Sequence, residues 1–387
     1  MYFRAIQGYW SIKQHLIHVV RTHQIPHAQL FWGPEGNASL PLALAFITYL
    51  NCQRRLQDDA CGQCTSCLRM QKLIHPDVKF VFPSSATKQI TSKDVTSTNF
   101  LRIWRTFVSE YPYGHANDWS RYLDNEKKQL SISKEEAREV IQAVGFKAFE
   151  GKYKVVLIWL PEYFHTAAAN ALLKVIEEPP PYTLFLLVSV HLDKVLDTIR
   201  SRTRQIHIPA FTDKALSSTL AQQYPLDQKR LAQIVLLADG DLNKAFKLVE
   251  NMPGDYFGRF KNWMRLCYTR NFTQLVAQAD AFQEMPKADQ KNFLTYSLHM
   301  IREVWVLYFT QAELTRATEE EQEFTQKLRQ SLTHEQTKEW IGWLNQAYDC
   351  IERHANSRIL YLNLSLKIAR TFDPAMHTPL RSPMAVK

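Results

Sequence analysis

Four short apolar runs set the frame of this chain: "HAQLFW", "DVKFVF", "KYKVVLIW" and "TLFLLVSV", each bounded by glycine, proline or charged residues. They are rich in β-branched and aromatic residues and almost continuously apolar, as strands buried on both faces must be. Helical patterns separate them. In "SISKEEAREVIQAVGF", Ser133 and Glu136 are placed for a capping box, and Ala137, Val140, Ile141 and Val144 share one stripe. In "TAAANALLKVIEEPPPY", a helix from about Thr166 turns Leu172, Leu173 and Ile176 inward until the prolines from Pro179 stop it. Strand alternating with helix predicts an α/β domain with a mostly parallel sheet, residues 1–211.

Beyond residue 211 the strand signals vanish. Residues 212–253 read as a small helical unit, with "QIVLLADGDLNKAFKLVE" as two helices joined at Gly240. Residues 254–375 read as helical and amphipathic throughout, and 376–387, with its prolines, as a mobile tail. Residues 84–130 interrupt the alternation: a polar stretch leads into "LRIWRTFVSEYPYGHANDWSRY", dense in aromatics and arginines. Such interleaving suits stacking on single-stranded nucleic acid. Packing of the insertion onto the sheet domain accounts for it as well, and is the reading we favour.

A chain of 387 residues exceeds one ordinary core, so two or three domains are expected. No run approaches the roughly 18 apolar residues of a membrane span, and "MYFRAIQG" lacks the apolar core of a signal peptide, which makes the cytoplasm the expected compartment. The formal charge of +9 suits an acidic partner such as nucleic acid, but it is spread along the chain as in any basic enzyme.

Two clusters carry chemistry. "FWGPEGNASL", residues 31–40, has the outline of a phosphate-binding loop: an apolar run stops at Gly33, Gly36 follows, and a helix-like stretch begins at Leu40. A working loop reads G-x-x-x-x-G-K-[ST], and here neither the lysine nor the hydroxyl is in place. The second cluster is Cys52, Cys61, Cys64 and Cys67, spaced C-x8-C-x2-C-x2-C. Four thiolates complete a tetrahedral zinc shell and leave no position for water, so a structural ion is expected. An iron–sulfur cluster is the rival, since C-x2-C-x2-C also occurs in ferredoxin-like runs. Disulfides do not suit a reducing compartment. Cys267 and Cys350 stand alone, as ordinary thiols.

The glycine loop, the four cysteines, "HPD" at His75–Asp77, "ISKEEARE", "NALLKVIEEPP" and "LDTIRSRTRQIHIP" follow one another in a specific order. In this combination the chain resembles the delta-prime family of bacterial DNA polymerase III subunits, within the clamp-loader branch of the AAA+ superfamily. The likeness runs from about Ile6 to Glu250 and is broken by 84–130; the helical remainder fits by length and position. It implies an α/β AAA+ module (1–211, with a zinc module at 52–67), a helical lid (212–253) and an all-α collar (254–375) that joins five subunits. Implied partners are the gamma/tau ATPase subunits and the delta subunit, with the sliding clamp and primer-template DNA reached through the complex. No membrane is involved, and the place of work is the nucleoid-associated replisome.

At each ATP-site position the chain departs from the working members of that family. Ser39 stands for the phosphate-gripping lysine and Leu40 for the magnesium-holding hydroxyl; Trp159 and Leu160 replace the acidic pair after "KVVLI", Glu162 lying two residues late; Asn243 replaces the arginine of "GDLNKAF". Phosphoryl transfer depends on positioning and charge neutralisation, which these residues do not supply. No intrinsic ATPase and no tight ATP or Mg2+ binding are therefore expected, the chain serving as a non-hydrolysing part of a DNA polymerase holoenzyme. Arg202 follows a helix expected from about Leu192 to Arg200, where the helix dipole alone favours an arginine by about 0.3–1 kcal/mol. Ser201-Arg202-Thr203 matches the family's serine-arginine-cysteine motif, with threonine for cysteine, and the likeness makes Arg202 an arginine finger toward a neighbour's ATP. Alternative functions are an active AAA+ ATPase and a stand-alone zinc-containing nucleic-acid-binding protein.

Overall fold

The computed structural model describes residues 1–87, 90, 95–124, 128–251, 255–309 and 317–372. The tail expected at 376–387 lies outside them. Contacts divide the chain into two units: Met1–Gln223 with Ala238–Phe246, and Tyr224–Leu237 with Lys247 onward.

In the first unit, α1 (Trp10–Arg21) leads into β1 (Ala28–Trp32), the glycine loop and α2 (Ser39–Leu50). Every residue of α2 is buried, which explains a helix too apolar to show a stripe in the sequence. Next come α3 (Thr65–Gln71) and β2 (Val78–Val81), then α4 (Ser97–Glu110) and α5 (Ala116–Tyr122) of the insertion, then α6 (Lys134–Gly145). The alternation resumes with β3 (Lys154–Trp159), α7 (Thr166–Glu177), β4 (Thr183–Ser189), a one-turn α8 (Asp197–Arg200), β5 (Arg204–His207) and α9 (Asp213–Gln223). The sheet order is β2-β3-β4-β1-β5, and all four pairings are parallel. One face packs Leu30, Val156, Ile158, Phe185 and Leu187 against α6 and α7. On the other, Phe31 meets Phe46 of α2. Helices on both faces of a parallel sheet make this the α/β fold class expected from the sequence, followed by helices alone among the described residues.

Several local expectations are refined. Ala137, Val140 and Val144 are buried, but Ile141 is 40% exposed, one position round the helix from their line. The Ser133 hydroxyl accepts from the Glu136 amide at 3.2 Å, yet the Glu136 carboxylate does not close the capping box. It turns instead to the amide of Ser97, at the start of α4, with Lys79 3.7 Å away. The helix expected from Leu192 to Arg200 is a 3-10 turn (Leu192–Lys194) and α8, separated where buried Val195 takes an extended conformation.

The insertion is tied down at both ends. Ser84 and Ser131 exchange backbone hydrogen bonds of 3.0 Å. Its aromatics face inward: Phe100, Trp104, Phe107 and Trp119 are buried, Trp104 stacks on Phe82 at 4.8 Å, and the Trp119 indole donates to the Pro83 carbonyl at 2.7 Å. Packing, not base stacking, accounts for these side chains.

The second unit is helical: most of α10 (Gln228–Ala238), the later part of α11 (Leu242–Asn251), and α12 (Tyr256–Tyr268), α13 (Phe272–Glu284), α14 (Lys287–Val306), α15 (Glu319–Gln330), α16 (His334–Glu352) and α17 (Ser357–Thr371). Tyr361 of α17 stacks on Phe282 at 4.7 Å and on Trp263 at 5.0 Å, and the Trp263 indole donates to Ser365 Oγ at 2.8 Å. None of the described helices is long and apolar enough to cross a membrane.

Candidate functional site

The glycine loop leaves the C-terminal end of β1, where a parallel α/β sheet ordinarily offers a ligand site. Here other segments of the chain pack against it. Asn37 donates to the Ile208 carbonyl at 2.7 Å and accepts from the Ser39 amide at 2.9 Å, fastening the loop to the end of β5. Gly36 has φ +69°, and a Cβ there would collide with the Asp241 carboxyl group. The next amide, that of Leu242, donates to the Gly36 carbonyl at 3.1 Å. Asp241 also caps α11 by accepting from the Lys244 amide at 2.9 Å.

The insertion also reaches the loop. His115 lies with Nδ1 3.5 Å from Glu35 and Nε2 3.1 Å from Asp241. Its amide donates to Asp118 at 3.1 Å, and Asp118 accepts from Asn243 Nδ2 at 2.7 Å. Burial disfavours the imidazolium, but Asp241, Glu35 and Asp118 outweigh it and raise the His115 pKa. Ser39 and Leu40 are buried. Trp159, where a carboxylate was expected in a working site, packs beside Phe107 at 5.9 Å. Glu162 points away into its own hydrogen bonds, accepting from the amides of Val190 (3.1 Å) and His191 (3.3 Å). The residues that matter most here, His115, Asp118 and Asp241, were not singled out from the sequence. Nothing local marks them, because their meaning lies in contacts across more than a hundred positions.

The four cysteines converge. Their sulfurs all lie within 4.8 Å of one another, and Cys61 and Cys67 are 3.9 Å apart. Four sulfurs set about 2.3 Å from one zinc would stand about 3.8 Å apart, so the set fits a single ion. Backbone amides aim at the sulfurs: Cys61 N at Cys52 (3.3 Å), Gln63 N and Cys64 N at Cys61 (3.4 Å each), and Cys67 N at Cys64 (3.5 Å). Burial works against a Cys61 thiolate, yet the amides of Gln63 and Cys64 prevail and bring its pKa down to about 6. The "HPD" residues secure the module to the sheet. His75 meets Ser66 of α3 at 3.0 Å, while Asp77 accepts from the amides of Phe149, Glu150 (2.8 Å) and Gly151 (2.7 Å).

Arg202 sits in the turn between α8 and β5, on the side of the sheet where strands begin. It is about a third exposed, with Nε 2.7 Å from Glu177 and Nη1 3.1 Å from the Thr198 carbonyl. Neither the loop nor the cysteine centre includes it.

The profile of the family described as "DNA polymerase III, delta subunit" matches residues 10–212, more than half of the sequence. The chain belongs to this family. Among curated relatives, it is 33% identical over 229 residues to "DNA polymerase III subunit delta'" of Yersinia pestis, covering 59% of this chain and 53% of that one. It is 24% identical over 253 residues to "DNA polymerase III subunit tau/gamma" of Haemophilus influenzae, covering 64% and 30%. The chain spans 30–58% of the length of the curated relatives it matches. A solved structure of a DNA polymerase III gamma subunit-related protein from Thermotoga maritima is similar at TM-score 0.36 and 13% identity, over 92% of this chain and 99% of that one.

Proposed function

We propose that this chain is the delta-prime subunit of a DNA polymerase III clamp loader, and that within it the chain binds no nucleotide of its own. The observation that carries this reading is the Asp241 carboxyl group resting on Gly36, where a phosphate would have to approach. A negative charge and a filled space at a loop without lysine oppose phosphate both electrostatically and sterically. In this reading the AAA+ part covers 1–211, the lid 212–253 and the collar 254–375. Its partners are gamma/tau and delta, with the sliding clamp and primed DNA engaged through the assembly.

Arg202 is the residue we assign to catalysis on a neighbour. Its guanidinium is partly exposed and is held by one carboxylate that an incoming γ-phosphate can replace. A zinc ion held by Cys52, Cys61, Cys64 and Cys67 would act as a cross-link in the first unit and take no part in any reaction.

The test is assembly. Mixed with candidate gamma/tau and delta subunits, the purified chain should elute in a stable heteromeric complex, and calorimetry on the chain alone should give no micromolar MgATP binding. A chain that stays alone, or that binds MgATP tightly, overturns the reading.

A further inference from the structure

In a working loop of this kind the backbone cradles a nucleotide's phosphates. Here a protein segment lies between the glycine loop and the start of α11. His115 stands between Glu35 of the loop and Asp241 at the start of α11, and Asp118 holds both the His115 amide and the Asn243 side chain. His115 ends the turn between α4 and α5 and Asp118 lies in the first turn of α5, both in the segment that interrupts the family likeness.

We infer that residues 95–124 of the insertion, α4 and α5 with the turn between them, are a built-in strap: through His115 and Asp118 it fastens the glycine loop to the first turn of α11, giving this part of the first unit one arrangement that no nucleotide is needed to maintain. The strap is rigid enough for the task. The ends of the insertion are paired through Ser84 and Ser131, the start of α4 is held by Glu136, and the body of the strap is packed by Trp104 and Trp119. Phe107, on the same helix, covers Trp159 at 5.9 Å. Its tip is matched to its seat by charge, one imidazole among the carboxylates of Glu35, Asp118 and Asp241. The pattern explains why an acidic N-cap is tolerated against a glycine loop: the basic group that offsets it comes from the insertion.

Amide hydrogen exchange on the full chain tests this, and its result does not depend on whether the chain joins a clamp loader. In His115→Ala and Asp241→Ala, segments 33–38 and 241–246 should exchange about tenfold faster than in the wild type, while 287–306 in the second unit is unchanged. His115→Gln, which keeps a donor, should fall between. Equal protection of both segments in all variants overturns the strap. Should the variants fail to fold, the wild type supplies the answer. The groups facing His115 are Glu35 from the loop, Asp118 from α5, and Asp241 from the start of α11, with Lys244 behind Asp241. Protection, corrected for intrinsic exchange, should fall as pH rises from about 6 to about 9 and the imidazole loses its charge. Protection constant across that range also overturns it.

Discussion

His115 Nε2 and Asp241 Oδ2 stand 3.1 Å apart although 126 residues separate them in the chain. The pairing raises the His115 pKa above the ordinary 6.5, against the opposing effect of burial. A raised histidine contributes stability that is fully present below its unfolded pKa and is lost as pH rises through the folded value. The melting temperature of the wild type should therefore exceed that of His115→Gln at about pH 6, and the gap should close toward about pH 9. Thermal denaturation across that range checks it; a gap that does not change with pH would deny the ion pair any part.

Asp77 has the opposite sign. Burial opposes its ionisation, but the amides of Gly151, Phe149 and Glu150 outweigh burial and hold its pKa below the ordinary 3.8. Its contribution is present above the unfolded pKa and disappears as pH falls through the lower folded value. Asp77→Ala should cost about 3 kcal/mol at neutral pH, since three donors lose a charged acceptor. Urea denaturation at pH 7 and in strong acid should show that cost shrinking with acidification.

One zinc ion per chain is expected by elemental analysis, lost on acidification as protons compete for the thiolates. Cys64→Ser should increase protease sensitivity of the first unit and leave Arg202-dependent activity of an assembled complex in place. A brown protein containing iron would replace zinc by a cluster.

Arg202→Ala should assemble normally and lower the DNA- and clamp-stimulated ATPase of the complex. Where chemistry limits turnover, an arginine finger contributes on the order of 10³–10⁵. Steady-state ATPase and clamp-loading assays on the fully assembled variant check this. Unchanged rates would leave Arg202 with its bond to Glu177 as its whole role.

β1 to β4 were legible because burial on both faces leaves an unbroken apolar run, whereas β5, the largely exposed Arg204–His207, carries no such run. The cysteine centre was legible because its ligands are close in sequence and their chemistry is narrow. Ile141 was misplaced since a stripe of four leaves its last-added member at the edge, and the exposed side won. Glu136 was read as a local cap because sequence gives no view of Ser97 across the insertion. The same blindness hid the main feature of the loop. Ser39 and Leu40, where a working loop has lysine and a hydroxyl, led to the expectation that no nucleotide is gripped, and only the fold shows His115 and Asp241 beside that loop.

The strand order also sets a timetable for synthesis. Ala28 pairs with Phe185, 157 residues later, and the other neighbour of β1 is β5 at residues 204–207. At about 5–20 residues per second, β1 and the wholly buried α2 wait roughly 8–30 s on the ribosome before a partner strand exists. Through that interval the nascent chain carries its most apolar helix without the sheet it packs on, with only the N-terminal segment and α3 at hand to cover it. The cysteine module, whose ligands all emerge within sixteen residues, can close long before the sheet does.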